Sequence, residues 1–150
     1  MKKYILKSIV ALCLVALSCN LWAEVGKKRI YIDYSDVTWW VGSTKVVDEN
    51  NEGYMGCYAW NGSSNATYQM YASGIENIAY CDIDDSYTSL LIFRGTELSV
   101  SSGVWNQTCN YEDIGSNNNF TISKTKQDDD EKKYKWSSAC RWAPSACIDG

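Results

Sequence analysis

The sequence predicts an all-β domain, an antiparallel β-sandwich or a small barrel, on three observations. Apolar residues recur with period two rather than 3.6. The alternating stretches are short and separated by segments rich in Asn, Ser, Gly and Asp. No segment carries the apolar stripe of a convincing helix. Roughly six to nine short strands with turn signals between them suit a sandwich or a barrel. At 150 residues the chain is expected to form one domain, with enough length to bury a sizeable core.

Residues 1–23 read as a secretory signal. Lys2, Lys3 and Lys7 form a charged start and Ser8 to Leu17 a short apolar run, too short to span a bilayer as a stable helix. Leu21-Trp22-Ala23 offers one cleavage site. Ala16-Leu17-Ser18-Cys19 offers another, in which Cys19 becomes the lipid-modified first residue of a bacterial lipoprotein and the only membrane attachment. Either reading sends residues 24–150 out of the cytoplasm as a single domain, secreted or held at the cell surface.

The strands follow in order. Arg29 to Tyr34 places Ile30, Ile32 and Tyr34 on one face. Tyr54 to Trp60 places Tyr54, Gly56, Tyr58 and Trp60 on one face and Met55, Cys57 and Ala59 on the other. Further strands are expected at Thr67 to Tyr71, Asn77 to Ile83, Ser89 to Phe93, Val104 to Cys109, Phe120 to Ser123 and Lys133 to Ser137. Leu90-Leu91-Ile92-Phe93 is an apolar run that suits a strand covered on both faces. Asp48 to Gly53 and Ser116 to Asn119 read as surface loops. Asp128-Asp129-Asp130-Glu131 before Lys132 and Lys133 reads as a solvated turn between two late strands, with a cation site as the alternative.

Charge and chemistry narrow the function. Without the first 23 residues the chain has 11 basic against 18 acidic residues, a net charge of −7, and no basic cluster. Nucleic acid and an anionic membrane face are therefore poor partners, and a neutral ligand a better one. The chain has no His, which removes the usual general base and the commonest metal ligand. Asp82, Asp84, Asp85 and Glu97 are the remaining candidates for a glycosidase-like carboxylate pair. The run Asp82-Ile83-Asp84-Asp85-Ser86 reads better as a strand end entering a turn. The expectation is no enzyme, no cofactor and no metal.

Five cysteines follow the signal: Cys57, Cys81, Cys109, Cys140 and Cys147. Disulfides Cys140–Cys147 and Cys57–Cys81 are the expected pairs in an oxidising compartment. The odd cysteine is left free, joins two chains, or pairs with Cys19. Asn61, Asn65, Asn106 and Asn119 open Asn-x-Ser/Thr sequences, glycan acceptors only in a eukaryotic secretory route.

Aromatic composition is the more telling signal. Beyond residue 23 there are six Trp and ten Tyr but only two Phe. Most rings therefore carry a polar tip, which suits surfaces that are half apolar and half wet. A pyranose stacks its apolar face on such a ring and gives its hydroxyls to nearby amides. Tyr58 and Trp60 beside Asn61, and Trp105 beside Gln107, fit that need. The alternative for Trp60 is a core ring; Trp39 and Trp40 either add aromatics from a loop or anchor that loop on the core.

Five segments, Ile30-Tyr31-Ile32, Gly56-Cys57-Tyr58-Ala59-Trp60-Asn61-Gly62, Thr67-Tyr68-Gln69-Met70, Tyr87-Thr88-Ser89-Leu90-Leu91-Ile92-Phe93-Arg94 and Val104-Trp105-Asn106-Gln107-Thr108, together resemble starch-binding carbohydrate-binding modules of families twenty-five and twenty-six. The resemblance runs from Arg29 to Ser123. It implies an immunoglobulin-like antiparallel β-sandwich that binds α-glucan without hydrolysing it, through Tyr58, Tyr68 and Gln107. With the residue-level reading, the expected carbohydrate site is Tyr58, Trp60, Tyr68, Trp105 and Gln107. Tyr68 stands where the family commonly has Trp, and Gly56 where an aromatic is frequent. The segment from Thr38 to Gly53 makes a longer first connection than usual, and the cysteines and the tail from Ser137 lie outside the pattern. The competing expectation is a secreted disulfide-containing sandwich for protein–protein or envelope contacts, with Trp136, Arg141 and Trp142 at the interface.

Overall fold

The computed structural model describes residues 23–40, 47–48 and 53–137, apart from the side chains of 38–40 and 47–48. The expected signal up to residue 22, with Cys19, lies outside the described residues. So do Cys140, Arg141, Trp142, Cys147 and the side chains of Trp39 and Trp40.

The described residues form ten strands: β1 Lys27–Asp33, β2 Val47–Asp48, β3 Gly53–Trp60, β4 Asn65–Gln69, β5 Tyr71–Ala72, β6 Ile78–Asp84, β7 Ser89–Gly95, β8 Val104–Thr108, β9 Asn119–Gln127 and β10 Asp130–Ser137. A 3-10 segment at Ser35–Trp40 is the one helical piece among them. The fold is all-β, as the period-two pattern requires. The expected strand at Thr67 to Tyr71 divides at Met70, which is fully buried and donates its N–H to the Met55 carbonyl at 2.9 Å.

All ten strands belong to one sheet, ordered β2-β3-β7-β8-β10-β9-β1-β6-β5, with β4 beside β3 on the side it shares with β2. β4 pairs with β3, and two residues later β5 pairs with β6 at the opposite end of the order. The segment Asn65–Ala72 thus reaches from one edge to the other, and the sheet nearly closes on itself. Near-closure leaves little of the unpaired edge that would otherwise template another chain.

The pairing is mixed, which corrects the expectation of a purely antiparallel sheet. The β9–β10 hairpin inserts between β8 and β1, so that β9 runs parallel to β1 and β10 parallel to β8. Both parallel joins link strands far apart in sequence, and parallel neighbours need long connections that leave no local turn signature.

Inside the sheet lie Ile30 and Ile32 of β1, Met55, Cys57 and Ala59 of β3, Ala79, Cys81 and Ile83 of β6, Leu90 and Ile92 of β7, and Phe120 and Ile122 of β9. Tyr111, Phe120 and Trp136 form an edge-to-face triad with centroids 4.8–5.8 Å apart, and the Trp136 indole N–H donates to the Cys109 carbonyl at 2.8 Å. Trp136 is therefore committed to the core, which removes one residue from the expected protein interface. Its indole found both apolar neighbours and an acceptor inside, the usual condition for burying a tryptophan.

Cys57 and Cys81 meet across the core, as their expected pairing requires, but both are free thiols. The neighbouring Cys57 thiol and burial hold the Cys81 thiol well above its ordinary value. The thiolate is the species that forms disulfides, so this shift disfavours the reactive form of Cys81.

Candidate functional site

The outward faces of β4, β3, β7 and β8 are set by register. Trp60 pairs with Asn65 and Ser89, Tyr58 with Thr67 and Leu91, and Gly56 with Gln69 and Phe93; Phe93 in turn pairs with Gln107. Directly paired residues point to the same side. Since Met55, Cys57 and Ala59 face the core, Tyr58 and Trp60 face out, and both are half-buried. Their rings lie 5.4 Å apart between centroids at 31°. Two residues apart on one strand, they form a continuous aromatic shelf.

Beside the shelf is an open cleft of about 470 Å³, lined by Tyr58, Trp60, Asn61, Gly62, Ser63, Ser64, Asn65, Leu91 and Asn110. Among the described residues, no carboxylate, amine or guanidinium lines it. Asn61 builds its floor. Its Oδ1 accepts from the N–H groups of Ser63 and Ser64, both at 2.9 Å, and from their hydroxyls, while its Nδ2 donates to the Ser86 carbonyl at 3.2 Å. This is the local side-chain turn that Asn favours. Asn61 is thereby a shaping residue, and the exposed amides at the cleft are those of Asn65 and Asn110.

The structure separates the other expected site residues from this shelf. Tyr68 pairs with Cys57 and so turns to the core side, where it packs against the buried cluster. Its hydroxyl accepts from the Asp84 N–H at 3.4 Å, and its ring lies edge-on to Tyr87. Tyr68 is a seam residue where β4 approaches β6, because a shift of one position along a strand reverses the face. Trp105 is half-buried with the Arg94 guanidinium 4.7 Å from its ring centre, at a register shift between β7 and β8. Gln107 does face outward, two strands over and one pair along from Tyr58, roughly 12 Å away by strand spacing and rise. Neither Trp105 nor Gln107 lines the cleft.

Gly56 has a structural reason. A Cβ there would lie 2.3 Å from the Phe93 ring and 3.1 Å from Leu98. The outward Phe93 is fully buried because it lies over this glycine. The space over Gly56 is filled from the neighbouring strand by Phe93.

The acidic candidates are engaged elsewhere. Arg29 donates to both Asp82 oxygens at 2.7 Å, and the pair holds the guanidinium firmly charged. Asp84 ends β6 and accepts from the Ser86 N–H and hydroxyl at 3.0 and 2.6 Å, contacts that lower its carboxyl pKa. The Ser102 hydroxyl donates to Glu97. Asp128 and Asp129 form the expected exposed turn between β9 and β10, with Lys135 and Lys133 beside Asp128 and Asp130 at 3.6 and 3.7 Å.

Sequence reasoning missed a second group of rings. Tyr71, Tyr80 and Tyr31 lie side by side across β5, β6 and β1. The available signal was a single tyrosine set between core-facing residues, Tyr31 between Ile30 and Ile32 and Tyr80 between Ala79 and Cys81. No family model, curated protein or solved structure matches this chain.

Proposed function

We propose that the chain is a non-catalytic carbohydrate-binding module of an exported protein, taking neutral polysaccharide, α-glucan first among candidates, on the Tyr58–Trp60 shelf. The observation that carries this reading is the pair of half-exposed rings, 5.4 Å apart, beside a cleft whose described lining is uncharged. Sugar rings stack on Tyr58 and Trp60, while the amides of Asn65 and Asn110 and the hydroxyls of Ser63 and Ser64 bond the sugar hydroxyls. Gln107 extends the strip for a longer chain. In this reading the two halves of the sheet serve as the layers of an immunoglobulin-like sandwich, with β3 presenting the ligand face on one layer. No described carboxylate or amine lines the cleft to serve as acid or base for its serine hydroxyls, which favours holding over cutting.

Electrophoresis of the mature domain through a gel containing soluble starch tests the proposal. Wild-type protein is retarded, and Tyr58→Ala combined with Trp60→Ala migrates measurably faster than wild type. Stacking worth about 1–3 kcal/mol per ring corresponds to roughly a 5- to 150-fold loss of affinity for each ring removed. Equal wild-type mobility with and without starch overturns it.

A further inference from the structure

The outward side of β5, β6 and β1 carries a second row of rings. Tyr71 pairs with Tyr80, and Tyr80 with Tyr31. Their ring centroids are 6.0 and 6.4 Å apart, with interplanar angles of 41° and 45°. Tyr71 is 52% exposed although it is a large ring on a regular strand. Asn119 of β9 continues the row beyond Tyr31.

One pair along, Arg29 lies opposite Asp82, its guanidinium 4.5 Å from the centre of the Tyr80 ring and held by two 2.7 Å bonds to that carboxylate. A bidentate pair of this kind fixes the position of both groups. The next pair, Lys27 with Asp84, also has opposite charges, 4.0 Å apart. Cation cancels anion along the face, so it selects for neither a phosphate nor an acidic peptide. A neutral ligand with an apolar side and several hydroxyls matches it.

We infer that the Tyr71–Tyr80–Tyr31 row is a second carbohydrate-binding face, which takes the sugar rings of a neutral polysaccharide against its phenols and bonds their hydroxyls through Asn119 and the Arg29–Asp82 pair. The inference rests on the carbohydrate reading of the first shelf but uses none of its residues. Cys57 and Cys81 meet in the core, so the outward sides of β3 and β6 point away from each other. A chain with two such faces bridges two polysaccharide strands instead of gripping one.

Calorimetric titration of the full chain with maltoheptaose, an α-1,4-linked seven-sugar probe, tests the inference. Two sites per chain are expected for wild type, one for Tyr71→Ala/Tyr80→Ala, and one for Tyr58→Ala/Trp60→Ala. Tyr71→Ala alone, at the most exposed ring, weakens one of the two sites by roughly 5-fold or more and guards against a folding defect in the double variant. One site in wild type that survives Tyr71→Ala/Tyr80→Ala but is lost in Tyr58→Ala/Trp60→Ala overturns the inference and leaves the first reading standing. A wild-type dimer that Tyr71→Ala converts to monomer, seen by sedimentation, also overturns it, because the row is then a contact between copies. No binding by any form overturns both readings.

Discussion

Single residues decide which rings reach the surface. Gly56 is the clearest case, because its missing Cβ is what lets Phe93 lie across β3. Gly56→Ala overpacks that contact and is expected to cost about 1–3 kcal/mol, read as a lower midpoint in urea with an unchanged slope. Thr108 acts through its hydroxyl: the buried Oγ1 accepts from the Ile92 N–H at 2.9 Å. Thr108→Val keeps the shape but strands that donor, for an expected loss of about 1–3 kcal/mol in the same measurement. Asn61→Ala removes the four bonds that hold Ser63 and Ser64 in place. It is expected to weaken starch retardation while leaving the thermal midpoint within a few degrees, since the turn is exposed. The outward rings of β3 were legible in the sequence because Tyr58 and Trp60 alternate with Met55, Cys57 and Ala59. Tyr68 was misjudged for the complementary reason: its face depends on a register with β3 that no short motif states.

At the level of elements, the β9–β10 hairpin joins two antiparallel blocks that would otherwise be separate. Its hold on them is its pairing with β1 and β8 and, on the β8 side, the Tyr111–Phe120–Trp136 triad. Phe120→Ala empties the centre of that triad and is expected to cost about 3–5 kcal/mol, with loss of near-ultraviolet dichroism from the packed rings. All of these strands but β2 were visible as short strand-like runs, β4 and β5 as a single one, and Leu90–Phe93 as a run buried on both faces. The parallel neighbours were not, because β1 with β9 and β8 with β10 meet through connections without a local signal. The switch at Met70 was hidden too. A single buried residue there turns one expected strand into two that pair with opposite ends of the sheet.

For the whole molecule, near-closure of the sheet turns two surfaces outward at once, one led by Tyr58 and Trp60 and the other by the tyrosine row. The acid-rich composition made a phosphate backbone a poor partner but could not say where the charges sit. In the fold, Asp82 and Asp84 are matched by Arg29 and Lys27, and no described residue lining the first cleft is ionised. Glucan binding at that cleft is accordingly expected to vary less than about twofold between pH 5 and 8, and between low and moderate salt, since no carboxylate, histidine or lysine lines it. The most direct test of the shelf is the 1H–15N spectrum of the labelled domain during titration with maltoheptaose. The indole N–H of Trp60 and the side-chain amides of Asn65 and Asn110 are expected to shift in step with the sugar added, while the Trp136 indole stays fixed. A saturated titration in which those three signals do not move contradicts the assignment of this face to carbohydrate.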